Sequence, residues 1–223
     1  MKRAKIYLGD EALQNTLFDI KCPYYVEEVK AYILGAATAV DGITPTGALE
    51  FLLKDEEGVE IFVEDQEKYQ KFSHQFFALW NEIAKAPFLD ATPELSFYPY
   101  HFTSEDEMLQ AAATRANEVK LFLLALMEGT HFCEVKEEWV SDLLFLLEDC
   151  AEKIHQAVLR LHDSFNDADL ETIETAIAEI DKMWPAAYTR LNRCCLKLKK
   201  NLLQGKENNV IRADFGRRAS PPS

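Results

Sequence analysis

An internal echo places the tightest limit on what this chain can fold into. Val29-Lys30-Ala31-Tyr32-Ile33-Leu34-Gly35 returns ninety positions later as Val119-Lys120-Leu121-Phe122-Leu123-Leu124-Ala125. Leu49 with Phe51-Leu52-Leu53 returns as Leu143 with Phe145-Leu146-Leu147, at an offset of ninety-four. The four extra residues fall between the matched stretches, in a connecting loop, where an insertion leaves packing undisturbed. Each copy therefore reads as an apolar helix, a loop and a second helix ending in Phe-Leu-Leu. Two copies are fewer than the three or so that a solenoid needs. The echo predicts a pseudo-repeated bundle instead, with repeats over 29–53 and 119–147.

Helical spacing continues outside the repeats. Asp10 is expected to cap a first helix through Leu13, Leu17 and Phe18, with Pro23 separating it from the next. In the first repeat Val29, Tyr32, Ile33 and Ala36 share one side, and Gly35, Ala36, Ala37 and Ala39 make another side small enough for a neighbouring helix to approach closely. Thr44-Pro45 gives an N-cap followed by proline in the first turn, where its missing N–H is harmless. Val59 to Val63 alternates like a strand but has no partner, so it is expected to be an extended linker. Tyr69, Phe72, Phe76, Leu79, Trp80 and Ile83 recur at three- and four-residue spacing, which marks a core stripe rather than a ligand box.

The proline-punctuated stretch 86–102 is long for a loop, and Phe88, Leu95, Phe97, Tyr98, Tyr100 and Phe102 predict that it packs. Ser104 and Glu107 form a capping box, and Gly129 a helix stop. Trp139, Leu143, Leu146, Leu147, Cys150, Ile154, Val158 and Leu161 are expected on the buried side of the next helix. Asn166 or Asp167 caps one more, Pro185 is expected to begin or kink the helix after that, and a basic amphipathic segment runs to Leu203. The sum is one all-α domain of about seven helices over 5–203, with a short flexible basic tail over 204–223.

Charge is unevenly placed. Nine basic residues from Arg190 onward face only Glu207 and Asp214, so that segment carries +7 and the preceding 189 residues −21, within a total of −14. An acidic body repels nucleic acid and anionic membrane and suits a partner with a basic surface. No apolar run approaches the roughly 20 residues of a membrane span, and no export signal is visible, so a cytoplasmic location is expected. Cys22, Cys133, Cys150, Cys194 and Cys195 lack metal-ligand spacing and read as reduced, buried thiols.

The order Tyr32-Ile33-Leu34-Gly35-Ala36-Ala37-Thr38-Ala39, Ile43-Thr44-Pro45-Thr46, Leu79-Trp80-Asn81-Glu82-Ile83-Ala84, a Phe97-Tyr98-Pro99 loop, then Ala116 to Met127 and Trp139 resembles the YecA/YgfB-like family of small bacterial proteins, over about residues 24–150. The resemblance implies an all-helical, cytoplasmic protein and no particular chemistry. Many relatives carry Trp and Gly-Phe in the second unit, where this chain has Glu118 and Leu121-Phe122. Longer relatives end in a cysteine-rich zinc-binding segment. Residues 211–218 here contain no cysteine, so zinc binding is not carried over.

Two Glu-x-x-His pairs, Glu128/His131 and Glu152/His155, match the ligand spacing of di-iron carboxylate bundles. Gly129 interrupts the first pair, and Glu152 and His155 share the polar side of their helix with Glu148 and His162, so solvated residues are the expectation and a metal-binding bundle the alternative. His74, His101 and His131 have no nucleophile beside them in a recognisable motif, and no phosphate-binding loop is present. The sequence thus predicts no enzyme and no cofactor, but an interaction or regulatory module presenting an acidic surface that includes Glu148 and Glu152. Nucleic-acid contact through the basic C-terminal segment is a further alternative, weakened by the lack of interleaved aromatic residues.

Overall fold

The computed structural model describes residues 6–54, 58–89, 91–96, 98, 102–130 and 138–215. Seven helices follow in order: α1 (Asp10–Asp19), α2 (Val26–Thr38), α3 (Pro45–Leu52), α4 (Gln66–Ile83), α5 (Glu105–Glu128), α6 (Glu138–Asp163) and α7 (Asp167–Phe215), with a 3-10 turn at Ala86–Phe88. The described residues contain no β-strand. An isolated antiparallel bridge between Lys54 and Glu60 is the whole of the extended pairing, and it folds the Val59–Val63 linker back onto the end of α3.

The centre of the molecule is the pair α2 and α5, which share the most extensive contact of any two elements. Glu28 meets Asn117, Gly35 meets Phe122 and Ala125, and Ala39 meets Gly129, so the two helices run parallel. Each residue of the seam therefore faces its own repeat equivalent ninety positions away or a near neighbour of it. At this contact α2 and α5 alone are related by a pseudo-two-fold axis along the helices, as in a parallel helix dimer.

Small residues make this contact possible. A Cβ at Gly35 would overlap the Phe122 carbonyl oxygen and come within 3.1 Å of the Ala125 Cβ, and one at Gly129 would lie 2.6 Å from the Ala39 Cβ. Beyond the helix ends, Asp41 N donates to Gly129 O at 2.7 Å and Val40 N to Thr130 Oγ1 at 2.9 Å, lacing the two turns together.

Two cores flank the seam, and each borrows from the opposite repeat. Leu13, Leu17, Val29, Tyr32, Leu52, Phe72, Phe76 and Trp80 surround one, closed from the far side by Leu121 and Ala125 of α5. Phe122, Leu126, Leu147, Ile154, Ile177, Trp184 and Tyr188 build the other, closed by Ala31 and Leu34 of α2. The aromatic stripe of α4 is core as its spacing implies, except Tyr69 at the exposed first turn.

Caps follow the sequence closely. Thr44 Oγ1 accepts from Gly47 N at 3.1 Å, Ser104 Oγ from Glu107 N at 3.2 Å, and Asn166 Oδ1 from Asp169 N at 2.9 Å. Two details differ. Gly9 rather than Asp10 occupies the N-cap of α1, freeing the Asp10 carboxylate for Tyr7 and Lys30. The Glu107 carboxylate turns to the Thr103 N–H and hydroxyl instead of completing the box at Ser104.

Three expectations require correction. Pro185 does not begin a helix, because α7 runs from well before it to well after it. Ile177, Ile180 and Trp184 before the proline and Tyr188, Leu191 and Cys195 after it are buried, and this packing offsets the roughly 3 kcal/mol that an interior proline costs. Residues 204–215 are not a tail but the last turns of α7, and 216–223 lie outside the described residues. On α6, Leu144 is buried in place of Leu146, which is exposed, and Leu143 is half-buried. No described helix is long and apolar enough to cross a membrane.

The seam supplies a direct test. Gly35→Ala should lower unfolding stability by about 1–3 kcal/mol, the usual cost of forcing extra volume into a packed contact. Chemical denaturation showing no loss would mean that α2 and α5 separate freely at this point.

Candidate functional site

Four regions could carry chemistry: the buried polar knot at the seam, the cavity under the 86–98 loop, the cysteines, and the face of α5 and α6 that bears Glu148 and Glu152.

The knot begins with Arg115, Asn117 and Glu118, one turn before the matched segment of α5, and with Glu28 of α2. The Arg115 guanidinium is buried and donates to the Asp181 carboxylate of α7 and to the Ser96 carbonyl, with its Nε 3.2 Å from Glu118 Oε2. Glu118 accepts from Ser96 N at 2.9 Å and Ser96 Oγ at 2.5 Å. Across the seam Glu28 accepts from Tyr25 N at 2.6 Å and from Asn117 Nδ2 at 2.7 Å. Trp184 Nε1 donates to Pro93 O at 2.7 Å and Asn192 Nδ2 to Pro87 O at 2.8 Å. Every one of these groups reaches the proline-rich loop or the seam, so the knot fastens that loop to α5 and α7. In the sequence Glu118 stands out only as a departure from a family pattern, and Arg115 passes unremarked. A charged residue inside an otherwise alanine-rich stretch is the available signal.

Burial raises the carboxyl pKa of both Glu28 and Glu118 above its ordinary value of 4.5, opposed at Glu28 by Tyr25 and Asn117 and at Glu118 by Ser96 and Arg115. Both carboxylates are tied into structural hydrogen bonds, Glu28 to Tyr25 and Asn117 and Glu118 to Ser96.

The described part of the loop packs only in part as expected. Tyr98 is buried with Phe102 against it at 5.1 Å, while Phe88 is exposed, and Phe97, Tyr100 and His101 lie outside the described residues. Beneath the loop lies a cavity of about 630 Å³ lined by α2, α4 and the 93–96 segment. Asp10, Glu27, Glu82, Glu94 and Glu118 line it with Lys30, whose ammonium pairs with Asp10 at 2.5 Å.

Cys22, Cys150, Cys194 and Cys195 are buried thiols that form no disulfide, and Cys133 lies outside the described residues. Burial pushes the Cys22, Cys150 and Cys195 thiols up to about 11, which removes thiolate character near neutral pH.

The Glu-x-x-His residues separate. Glu128 ends α5 with the Tyr32 hydroxyl 3.5 Å away, and His131 lies outside the described residues. Glu152 is taken by Lys120 Nζ at 2.8 Å and Gln156 Nε2 at 2.8 Å, contacts that hold its carboxyl below the usual range, and His155 beside it is half-buried. Among the described residues no three His, Cys, Asp or Glu side chains are grouped to hold a metal.

Around Glu148 and Glu152 the structure adds something the pattern does not reveal. They rim a groove of about 1050 Å³ between α5 and α6, with Asp149 and Glu128 beside them. Its floor is apolar: Leu124, Met127 and Phe145 are 45%, 52% and 68% exposed. Sequence spacing places the two glutamates on a solvated face, but Phe145, matched to a residue that packs in the first repeat, carries no sign of lying open beside them.

Comparison with protein-family models, with curated proteins and with solved structures gives no match.

The raised carboxyl of Glu28 fixes a pH trend. Folded Glu28 holds its proton to higher pH than the unfolded chain does, so its favourable contribution is complete below 4.5 and is lost as pH rises through the folded value. Glu118 and Glu27 face it and act in the same direction. Glu28→Gln should flatten this decline and leave stability at pH 7 equal to or above wild type, measured by urea unfolding at pH 5 and pH 7. A clear loss at pH 7 with the slope unchanged would show that the charge itself is needed.

Proposed function

We propose that this protein is a non-enzymatic interaction or regulatory module that offers the acidic α5–α6 groove to a protein partner with a basic surface. The observation that carries the reading is the coincidence of Glu148 and Glu152 with exposed Leu124, Met127 and Phe145 in one concave surface. An apolar floor inside a charged rim is the arrangement in which buried anchors supply affinity and the rim steers and selects. Lys120 and Lys153 are the basic groups at this surface, and they pair with Glu152 and Asp149 at 2.8 and 2.7 Å, so the rim remains acidic in sum. The groove, apart from Glu152, lies within the part of the chain that resembles the YecA/YgfB-like family, and the same reading suits a divergent member of it in the cytoplasm.

The alternatives draw less support. Metal binding through Glu128, His131, Glu152 and His155 would require Glu152 to exchange its lysine for an ion. Nucleic-acid contact by the basic end of α7 competes with a use inside the protein, since Lys199 Nζ already donates to Ala37 O at the end of α2, where the helix dipole favours a cation.

Charge reversal separates the groove from net charge. Glu148→Lys with Glu152→Lys should weaken a salt-sensitive complex captured from native extract by about tenfold or more, some 1.4 kcal/mol, at an unchanged melting temperature. The same reversal at Glu171 and Glu174, exposed on α7, should leave capture intact. Equal loss in both variants would reduce the effect to overall charge, and unchanged capture in the first would remove the groove from the reading.

A further inference from the structure

The paired helices α2 and α5 carry the same outer face but treat it differently, and the difference bears on the shape of what fills the groove. Lys30, Ala31 and Leu34 of α2 correspond to Lys120, Leu121 and Leu124 of α5. On α2 this face looks at another helix. Leu79, Glu82 and Ile83 of α4 line one cavity with Ala31 and Leu34, the 93–96 segment lies beside them, and Leu34 is 5% exposed. On α5 the equivalent face is bordered by α6 alone among the described residues, and Leu124 is 45% exposed. The first half of the fold thus seats a helix where the second half leaves a groove.

The groove's own backbone disfavours an extended occupant. A bound strand takes its main-chain hydrogen bonds from a sheet edge. Here Phe145 to Glu152 lie inside α6, and at the end of α5 the Ala125 and Met127 carbonyls already accept from Gly129 N at 3.2 Å and Thr130 N at 3.3 Å. A strand laid on Leu124, Met127 and Phe145 would leave N–H and C=O groups unpaired against an apolar floor. A helix satisfies those groups internally and brings only side chains to the floor. Size agrees, since two turns of helix, about 11 Å long and 10 Å across, displace on the order of 850 Å³, and the groove measures about 1050 Å³. Charge sets the chemistry of the rim. Glu128, Glu148, Asp149 and Glu152 line the groove with Lys120 as its single base; Lys120 is held by Glu152, and Glu128 and Glu148 have no basic partner among the described residues.

We propose that the occupant of the α5–α6 groove is a basic amphipathic helix of a partner protein, which lays an apolar face on Leu124, Met127 and Phe145 and sets Lys or Arg against Glu148 and Glu128. This rests on the groove being a protein-docking surface and names the element that docks. The groove runs from Leu121 to Glu128, roughly 10 Å of α5, so it accepts three apolar anchors spaced i, i+4 and i+7. Met127 is the adaptable part of the floor, because its unbranched thioether fits anchors of different shape. The acidic rim selects for basic residues beside the anchors and against acidic helices.

Two labelled probe peptides of identical Ala, Lys and Leu composition test this against the full chain by fluorescence anisotropy. One carries Leu at i, i+4 and i+7, the other at i, i+2 and i+4, the spacing of a strand. The helical probe should bind about tenfold or more tightly than the other, and circular dichroism should show it gaining helix on binding. Phe145→Asp should weaken that binding about tenfold or more with the protein's own helicity unchanged, since Phe145 is exposed. The substitution adds a negative charge to the rim, so attraction by charge alone would instead grow stronger. Equal affinity for the two probes, or binding that survives Phe145→Asp, would overturn the proposal, as would the absence of binding by either probe. Tighter binding of the strand-spaced probe that is still lost in Phe145→Asp would overturn the helix and leave the groove reading in place. Sedimentation of the chain alone assigns the groove to a second copy, against the proposal, if it shows a dimer that Phe145→Asp dissolves.

Discussion

Close approach of α2 and α5 is the constraint on which everything else depends. Gly35 gives the Phe122 carbonyl room to enter, and Gly129 does the same for Ala39. With side chains at these positions the helices would separate, and Leu121 and Ala125 could no longer close the first core, nor Ala31 and Leu34 the second. Because each core is completed from the opposite repeat, the two halves are a single packed unit rather than two small domains, neither of which would bury enough surface alone.

The parallel, pseudo-two-fold seam also explains where polar groups had to be buried. Glu28 and Glu118 are repeat equivalents, and the axis brings their like charges to the same level. The chain relieves this with different donors on the two sides, Asn117 and the Tyr25 backbone at one and Ser96 with Arg115 at the other. The second set anchors the proline-rich loop, and the loop roofs the first repeat. An electrostatic problem created at the seam is thus settled by the segment that makes the two repeats unequal. That inequality leaves Phe145 and Leu124 open between acidic residues, and the proposed interaction role grows from it.

Much of the fold is legible in the chain because its signals are local. The Thr44, Ser104 and Asn166 caps, the small side of α2 and the α4 stripe follow from spacing within a single helix. Pro185 misleads because a local rule is overruled by burial on both sides of it, and the α7 extension does so because a polar, glycine-containing segment can still be helical when it prolongs a formed helix. The candidate site is half legible. Spacing marks Glu148 and Glu152 as exposed, but the apolar floor between them depends on Leu124, Met127 and Phe145 lacking a cover, and no periodicity within one helix reports what a distant segment fails to do. Arg115 escapes a sequence reading for the same reason: two of its three partners, Ser96 and Asp181, lie in distant segments.

Native-state hydrogen exchange probes the seam most directly. If α2 and α5 hold both cores, amides along Val29–Gly35 and Val119–Ala125 should exchange only through global unfolding, with one shared free energy that tracks denaturant identically for the two helices. Two distinct free energies, with either helix opening while the other stays protected, would contradict a fold built on one seam.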